Sequence, residues 1–175
     1  MSMLAIKSRT IYIGQVRKGL PDMEKWFEGR ELNFEEFLCF SLYSTNHAMN
    51  RVYTPVLKEL GLTYPQYLVM LALWKKDGQL VGELGQKMHL ESSTLTPLLK
   101  RLEKLNFVRR QRDAEDERKV RVTLTSAGHA LHEQAACVPG QILEAIGMTP
   151  DEIIALSAQI NKVRKNLESW PPAEE

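Results

Sequence analysis

The chain has 175 residues, 43% of them hydrophobic and 26% charged, the balance of a soluble globular protein. That length holds one domain with a real core, or one domain plus dimerisation arms. Lys and Arg number 23 against 22 Asp and Glu, a net charge of +1 that excludes a polycation; two cysteines exclude a secreted disulfide scaffold. No apolar run approaches the ~18 residues of a membrane span. The chain shows no signal peptide with a clear apolar region and cleavage site, so a cytoplasmic protein with no membrane partner is expected.

Residues 1–31 carry little pattern. Ile11-Tyr12-Ile13 has the make-up of a short strand and Asp22 to Arg30 that of a short helix; the segment is set apart as an extension without an assigned role. Asn33 is a natural cap, and Glu35 and Glu36 suit the positive end of a helix. Apolar positions from Phe34 to Leu60 predict one long helix ending near Gly61, with Pro55 as a bend. Such a helix exceeds what a small domain needs and suits a dimer interface.

Cys39 lies near the start of that helix. A helical cysteine is most often an inert apolar residue. Tyr43, one turn on, shares its face. Tyr53 is fourteen residues on, roughly 21 Å along a straight helix, so it reaches a Cys39 only across two antiparallel helices of a dimer. A phenol O–H donates to a thiolate and favours that form, which is the form that attacks a peroxide bond.

Tyr64-Pro65-Gln66-Tyr67 opens the next helix, which runs through Leu68, Leu71 and Trp74 to Asp77-Gly78. Val81, Leu84 and Met88 then mark one face of a short helix, and His89-Leu90-Glu91 turns the chain. Ser92 or Ser93 is the expected cap of a second helix whose core face is Leu95, Leu98, Leu99, Leu102 and Leu105. Its other face carries Ser93, Thr94, Thr96, Lys100, Arg101 and Lys104, which suits a helix whose tip enters a major groove. Pro97 sits about one turn inside, where it removes a backbone donor.

Phe107 to Gln111 and Lys119 to Leu124 alternate apolar and polar residues and predict two strands around a polar loop. A hairpin with basic arms and Arg118 near its tip is a minor-groove probe, with Asp116 expected to hold Arg118 by a charge-assisted bond. Arg110 is a further DNA-side candidate. The bland alternative is a solvated hairpin in any small α+β domain. Thr125 caps a helix through Ala136, broken at Val138-Pro139-Gly140. Thr149-Pro150-Asp151-Glu152 starts a last helix with Ile153, Leu156, Ile160, Val163 and Leu167 on one stripe.

Leu95 to Glu103, Asp116-Glu117-Arg118, and Val122-Thr123-Leu124-Thr125 leading to Gly128 resemble the winged helix-turn-helix domain of the MarR family of bacterial transcription regulators. Leu80 departs from that pattern, where a Ser or Thr cap is expected. Leu38 to Tyr43, Tyr53, and Leu62 to Leu68 resemble more narrowly the organic hydroperoxide sensors of that family, the OhrR type. The resemblance covers about residues 34–142. It implies that Cys39 is the peroxide-reactive thiol, surrounded by Tyr43, Tyr53 and Tyr64. It also implies a homodimer on a pseudo-palindromic operator of double-stranded DNA, with an organic hydroperoxide as inducer. Two-cysteine relatives close an intersubunit disulfide with a second thiol that aligns nearer Glu144; Cys137 is either that resolving thiol or a small buried residue.

His47, His89, His129 and His132 form no metal constellation, and no phosphate loop or nucleophile elbow occurs. No metal, cofactor or enzymatic activity is expected. The fold expected is mainly α with a small β-wing (α+β). Residues 63–124 would form the winged helix-turn-helix, and residues 32–62 and 125–170 a helical dimerisation region. Two alternatives remain: a regulator gated by a small phenolic ligand with Cys39 a bystander, and a thiol peroxidase, which would have no use for Arg118 on a wing.

Overall fold

The structure, a computed structural model, describes residues 33–171. The strand at Ile11-Tyr12-Ile13 and the helix at Asp22 to Arg30 lie outside the described residues. The chain divides into two compact units, Met1–Thr45 and Asn46–Glu175.

In the first unit the expected helix does not start at Asn33. Phe34–Glu36 makes one 3-10 turn, in which the Glu36 carboxylate accepts the Asn33 N–H at 3.3 Å. Phe37 is then extended, at φ −73° and ψ 120°, and helix α1 (Leu38–Glu59) begins after it. Two contacts hold the turn to the helix: the Phe34 and Phe40 rings lie 4.2 Å apart, and the Ser41 hydroxyl donates to the Glu35 carbonyl at 3.2 Å.

In the second unit α1 ends where Gly61 takes φ +67°. That left-handed residue lets the Leu62 N–H reach back to the Leu57 carbonyl at 3.0 Å, which the Leu60 N–H also reaches at 3.1 Å, so the last turn's carbonyls are satisfied. Thr63 and Gln66 then cap α2 (Tyr64–Lys75): the Gln66 side-chain oxygen accepts from the Thr63 N–H at 2.8 Å and from its hydroxyl at 3.0 Å. Gln66, Tyr67, Val69, Met70 and Leu73 are all buried, so α2 is enclosed on most sides, as its apolar run demands.

Strand β1 (Gln79–Leu80), α3 (Val81–Met88) and α4 (Ser92–Lys104) follow. Leu84 of α3 and Leu95, Leu99 and Leu102 of α4 are fully buried with Met70 and Leu73. Leu80 stands at the N-cap of α3, yet that end is held, because Glu83 accepts the Leu80 N–H at 2.8 Å. Neither Ser92 nor Ser93 caps α4. The N-cap is Glu91, whose side chain accepts no N–H of the first turn and takes only the Ser93 hydroxyl at 3.4 Å. His89, left-handed at φ 51°, closes α3 so that the chain runs extended through Glu91 before the next helix starts.

Strands β2 (Val108–Arg112) and β3 (Val120–Leu124) pair antiparallel with Gln111 opposite Arg121. Short β1 pairs with the other edge of β3, giving the order β1-β3-β2. Thr125 caps α5 (Ser126–Gln134) by accepting the Gly128 N–H at 3.0 Å. Val138-Pro139-Gly140 does not interrupt the chain. After a 3-10 turn at Ala135–Cys137 it opens α6 (Val138–Ile146), with Pro139 in the first turn where its missing N–H costs little. The last helix, α7 (Pro150–Glu168), starts at the expected Thr149–Glu152 box and buries no residue. Among the described residues no helix is long and apolar enough to cross a membrane.

Candidate nucleic-acid interface and thiol residues

The reading face of α4 follows from its core face. With Leu95, Leu99 and Leu102 turned inward, Ser93, Thr94 and Lys100 are exposed and Thr96 is half-buried. Beyond the helix the cations differ by what holds them. Arg110 is committed to Glu103 of α4. Its Nε donates to Oε2 at 2.9 Å, Nη2 lies 2.8 Å from the same oxygen, and its backbone N–H reaches Oε1 at 2.9 Å. Burial alone would push the Glu103 carboxyl up, but those bonds outweigh it and hold it below its ordinary value. Arg112 faces Glu117 at 3.9 Å and Lys119 faces Asp116 at 3.3 Å. Among the described residues Lys100, Arg101, Lys104, Arg109 and Arg118 have no ion-pair partner. These are the cations available to phosphates or to a groove.

Asp116 does not grip the Arg118 guanidinium. Its Oδ1 accepts the Arg118 backbone N–H at 3.1 Å, and its other oxygen pairs with Lys119. A carboxylate two residues ahead closes an Asx turn on the main chain, leaving the long side chain free. A second acid does more. Asp113 is buried, accepts the N–H groups of Glu115 and Asp116 at 3.1 and 3.3 Å, and takes Nε and Nη2 of Arg121 at 2.8 and 2.5 Å. The Arg121 hydrogen bond, then the Glu115 N–H, hold its carboxyl below the usual range against the opposing effect of burial. Glu103, Asp113 and Arg121 were not singled out as positioning groups in the sequence. Only Asp113 carries a local signal there, as an Asx-turn starter ahead of a polar loop.

The thiol residues fall in both units. Cys39 and Tyr43 lie on α1 in the first, and Cys39 is exposed. Tyr53 and Tyr64 lie in the second with ring centroids 4.6 Å apart, and Tyr67, buried on α2, lies 6.1 Å from Tyr53. Burial first, then Tyr64 and Tyr67, push the Tyr53 phenol up to about 12, so it remains a donor throughout the physiological range. Burial also raises Tyr64 and Tyr67, and Tyr67 is raised further by the neighbouring Cys137 thiol. Cys137 is exposed rather than buried, with its sulfur 3.7 Å from the Gln134 carbonyl it donates to. Among the described residues no group of three His, Cys, Asp or Glu side chains is placed to hold a metal ion.

A helix, a left-handed turn, a second helix with an open polar face, and a two-stranded wing tipped by an unpaired arginine define a winged-helix DNA-binding protein. A family model described as transcriptional regulator SarA/Rot matches residues 51–134. The HTH-type transcriptional regulator TtmR of Methylorubrum extorquens is 46% identical over 130 residues, covering 74% of this chain and 67% of that protein. The organic hydroperoxide resistance transcriptional regulator of Bacillus subtilis is 38% identical over 145 residues, covering 83% of this chain and 97% of that one. The structure of overoxidized AbfR bound to DNA matches with a TM-score of 0.62 at 37% identity, over 74% of this chain and 91% of that one. The chain belongs to the MarR-type winged-helix transcription regulators, in the branch that includes the organic hydroperoxide regulators. It is a DNA-binding transcriptional regulator.

Proposed function

We propose that this regulator is a repressor that occupies its operator at rest, binding DNA as a homodimer while Cys39 is a thiol. An organic hydroperoxide then oxidises Cys39 and the dimer is released. The observation that carries this reading is an exposed Cys39 in a chain 38% identical to a regulator named for organic hydroperoxide resistance, across 97% of that protein.

The chemistry balances without a cofactor. The thiolate attacks the terminal, hydrogen-bearing oxygen of the hydroperoxide, an S–O bond forms, and the O–O bond breaks. The alkoxide takes a proton and leaves as the alcohol, and the sulfur, two electrons poorer, becomes a sulfenic acid. A second thiol then attacks that sulfur and water leaves. The second thiol is the partner's Cys137 or a small cellular thiol. Tyr43, Tyr53 and Tyr64 serve as O–H donors to the sulfur and to the departing oxygen; the raised Tyr53 phenol suits that part.

Ser93, Thr94, Thr96 and Lys100 contact the major groove, and Arg118 the minor groove. Asp116 fixes the backbone beneath Arg118. Arg110 acts at one remove, clamping α4 to β2 through Glu103. Residues 63–124 read DNA, while residues 32–62 and 125–170 join the partner. Two half-sites require a fixed spacing of the two readers, so a modest change in helix packing is enough for release.

The test uses a duplex selected from a random library by the wild-type protein. Cys39→Ser is expected to bind it as tightly as wild type and to stay bound after a stoichiometric pulse of cumene hydroperoxide that releases wild type. A variant still released by the oxidant removes Cys39 from the mechanism. Intact mass after the pulse separates this reading from gating by a phenolic ligand, since only a sensor gains mass at Cys39.

A further inference from the structure

The seven residues between β2 and β3 contain four acids and two cations, a composition that ordinarily makes a loose solvated loop. Here the loop is fastened at three levels. At its base the Asp113 N–H donates to the Lys119 carbonyl at 2.9 Å, closing the loop's neck. Inside it, Asp113 Oδ1 gathers the N–H groups of Glu115 and Asp116, and Asp116 in turn takes the N–H of Arg118, so one Asx turn is nested in the next. Neither turn ties the loop to anything else.

That tie is Arg121. Its guanidinium holds Asp113 Oδ2 with Nε and Nη2, while Nη1 donates to the Gly78 carbonyl. Gly78 belongs to the turn between α2 and β1, left-handed at φ +68°. The neighbouring Asp77 carboxylate accepts the Gly78 N–H at 2.7 Å and the Leu124 N–H at 2.9 Å, which binds this turn to β3 as well. One planar, rigid fork thus spans the body of the domain and the only buried acid of the wing loop. The nested turns under Arg118 lead back to it through Asp113, while the Lys119 N–H closes the loop locally on the Asp116 carbonyl at 2.8 Å.

We propose that Arg121 and Asp113 are positioning residues for DNA binding: their pair anchors the nested turns to the Gly78 carbonyl so that Arg118 is presented at one fixed place. Three of the five guanidinium donors of Arg121 are spent within the protein, which fits an anchoring part rather than a DNA contact. The proposal rests on the reading that Arg118 enters a minor groove. Fixing the backbone in advance means that only the Arg118 side chain is ordered when DNA arrives, a smaller entropy cost than ordering a whole loop.

A double-mutant cycle on the duplex selected by the wild-type protein tests this. Arg118→Ala in the wild-type background is expected to weaken binding about tenfold, as for a groove-inserted arginine. In the Arg121→Gln background the same change is expected to cost less than about twofold, because a wandering wing no longer delivers Arg118. Asp113→Asn, which keeps the side chain's shape, is run in the same cycle and should give the same loss of coupling. Circular dichroism confirms that the variants are folded. Equal, additive costs in both backgrounds overturn the anchor and leave Arg121 as an independent contact or an unrelated structural residue. An Arg118→Ala change without effect in wild type overturns the minor-groove reading itself, a distinct result.

Dimethyl sulfate supplies a readout that general destabilisation does not move. Adenine N3 lies in the minor groove and guanine N7 in the major groove. Arg121→Gln should lose protection at adenines beneath the wing and keep it at guanines beneath α4. Adenine protection retained in that variant also overturns the proposal.

Discussion

A cation serves a phosphate best when nothing in its own protein already holds it, and the wing separates its cations on that basis. The sequence places Arg109, Arg110, Arg112, Arg118, Lys119 and Arg121 in one basic segment, and composition treats them alike. The structure commits Arg110 to Glu103 and Arg121 to Asp113 and leaves Arg109 and Arg118 without an ion pair among the described residues. That division was not legible beforehand, because it depends on strand register and on how α4 lies beside β2. The bond expected between Asp116 and Arg118 exists but falls on the backbone N–H rather than the guanidinium, for a local reason: a short acid two residues ahead reaches the backbone sooner than a long side chain. Asp113 also makes a prediction about pH. Its folded carboxyl lies below the ordinary range, chiefly through the Arg121 hydrogen bond. Above the ordinary carboxylate range both states are ionised and the pair contributes its full stability. As pH falls below that range the unfolded chain takes up a proton first, and the contribution is gone once pH passes the folded value. Urea midpoints measured from neutral to acid pH should therefore fall more steeply for wild type than for Asp113→Asn. Parallel curves would mean that the pair does not contribute through this titration.

Among the elements, the apolar spacings at three and four residues found α2, α3, α4 and α7, and the Thr125 and Thr149 caps placed the starts of α5 and α7. Less local features stayed hidden. Strand β1 is two residues long, too short for any periodicity, and exists only because β3 has a second edge to pair. The break at Phe37 depends on Phe34 and Phe40 stacking across it. The join between α5 and β2 depends on a close approach that sequence does not announce. A Cβ at Gly128 would lie 2.0 Å from the Phe107 carbonyl oxygen, and the Gly128 carbonyl accepts Trp74 Nε1 at 2.9 Å. Both neighbours are fixed: Phe107 by the Thr125 N–H that donates to its carbonyl at 3.1 Å, Trp74 by its place on α2. Gly128→Ala is thus expected to destabilise the protein by about 3 kcal/mol or more, the range for backbone overpacking with a lost buried bond. Urea unfolding followed by tryptophan fluorescence measures it. A loss under about 1 kcal/mol would show that α5 slides away from β2 at little cost.

At the scale of the molecule, the feature that most needs a partner is α7. Its 19 residues bury none, and Leu156, Ile160 and Leu167 are 46%, 40% and 69% exposed along the stripe that the sequence marks. Leu143 and Ile146 of α6 and Trp170 are exposed as well. A lone helix of that length is marginal in water even with good propensity, since most helical stability comes from packing an apolar face. The apolar residues at this spacing therefore fit a surface that closes on a second copy, and two-fold pairing would set two α4 helices at the spacing an operator demands. Leu156→Glu and Ile160→Glu place an unpaired charge in that face, which the capped start at Thr149–Glu152 leaves otherwise helical. Each is expected to weaken self-association by tenfold or more, about 1.4 kcal/mol or above. Sedimentation equilibrium gives the association constant, and gel shifts on full and half operators show the consequence. The variants should lose the advantage of the full site and bind half-sites as wild type does. If both variants remain as dimeric as wild type, the apolar face of α7 is not the joint, and the spacing of the readers must be set elsewhere.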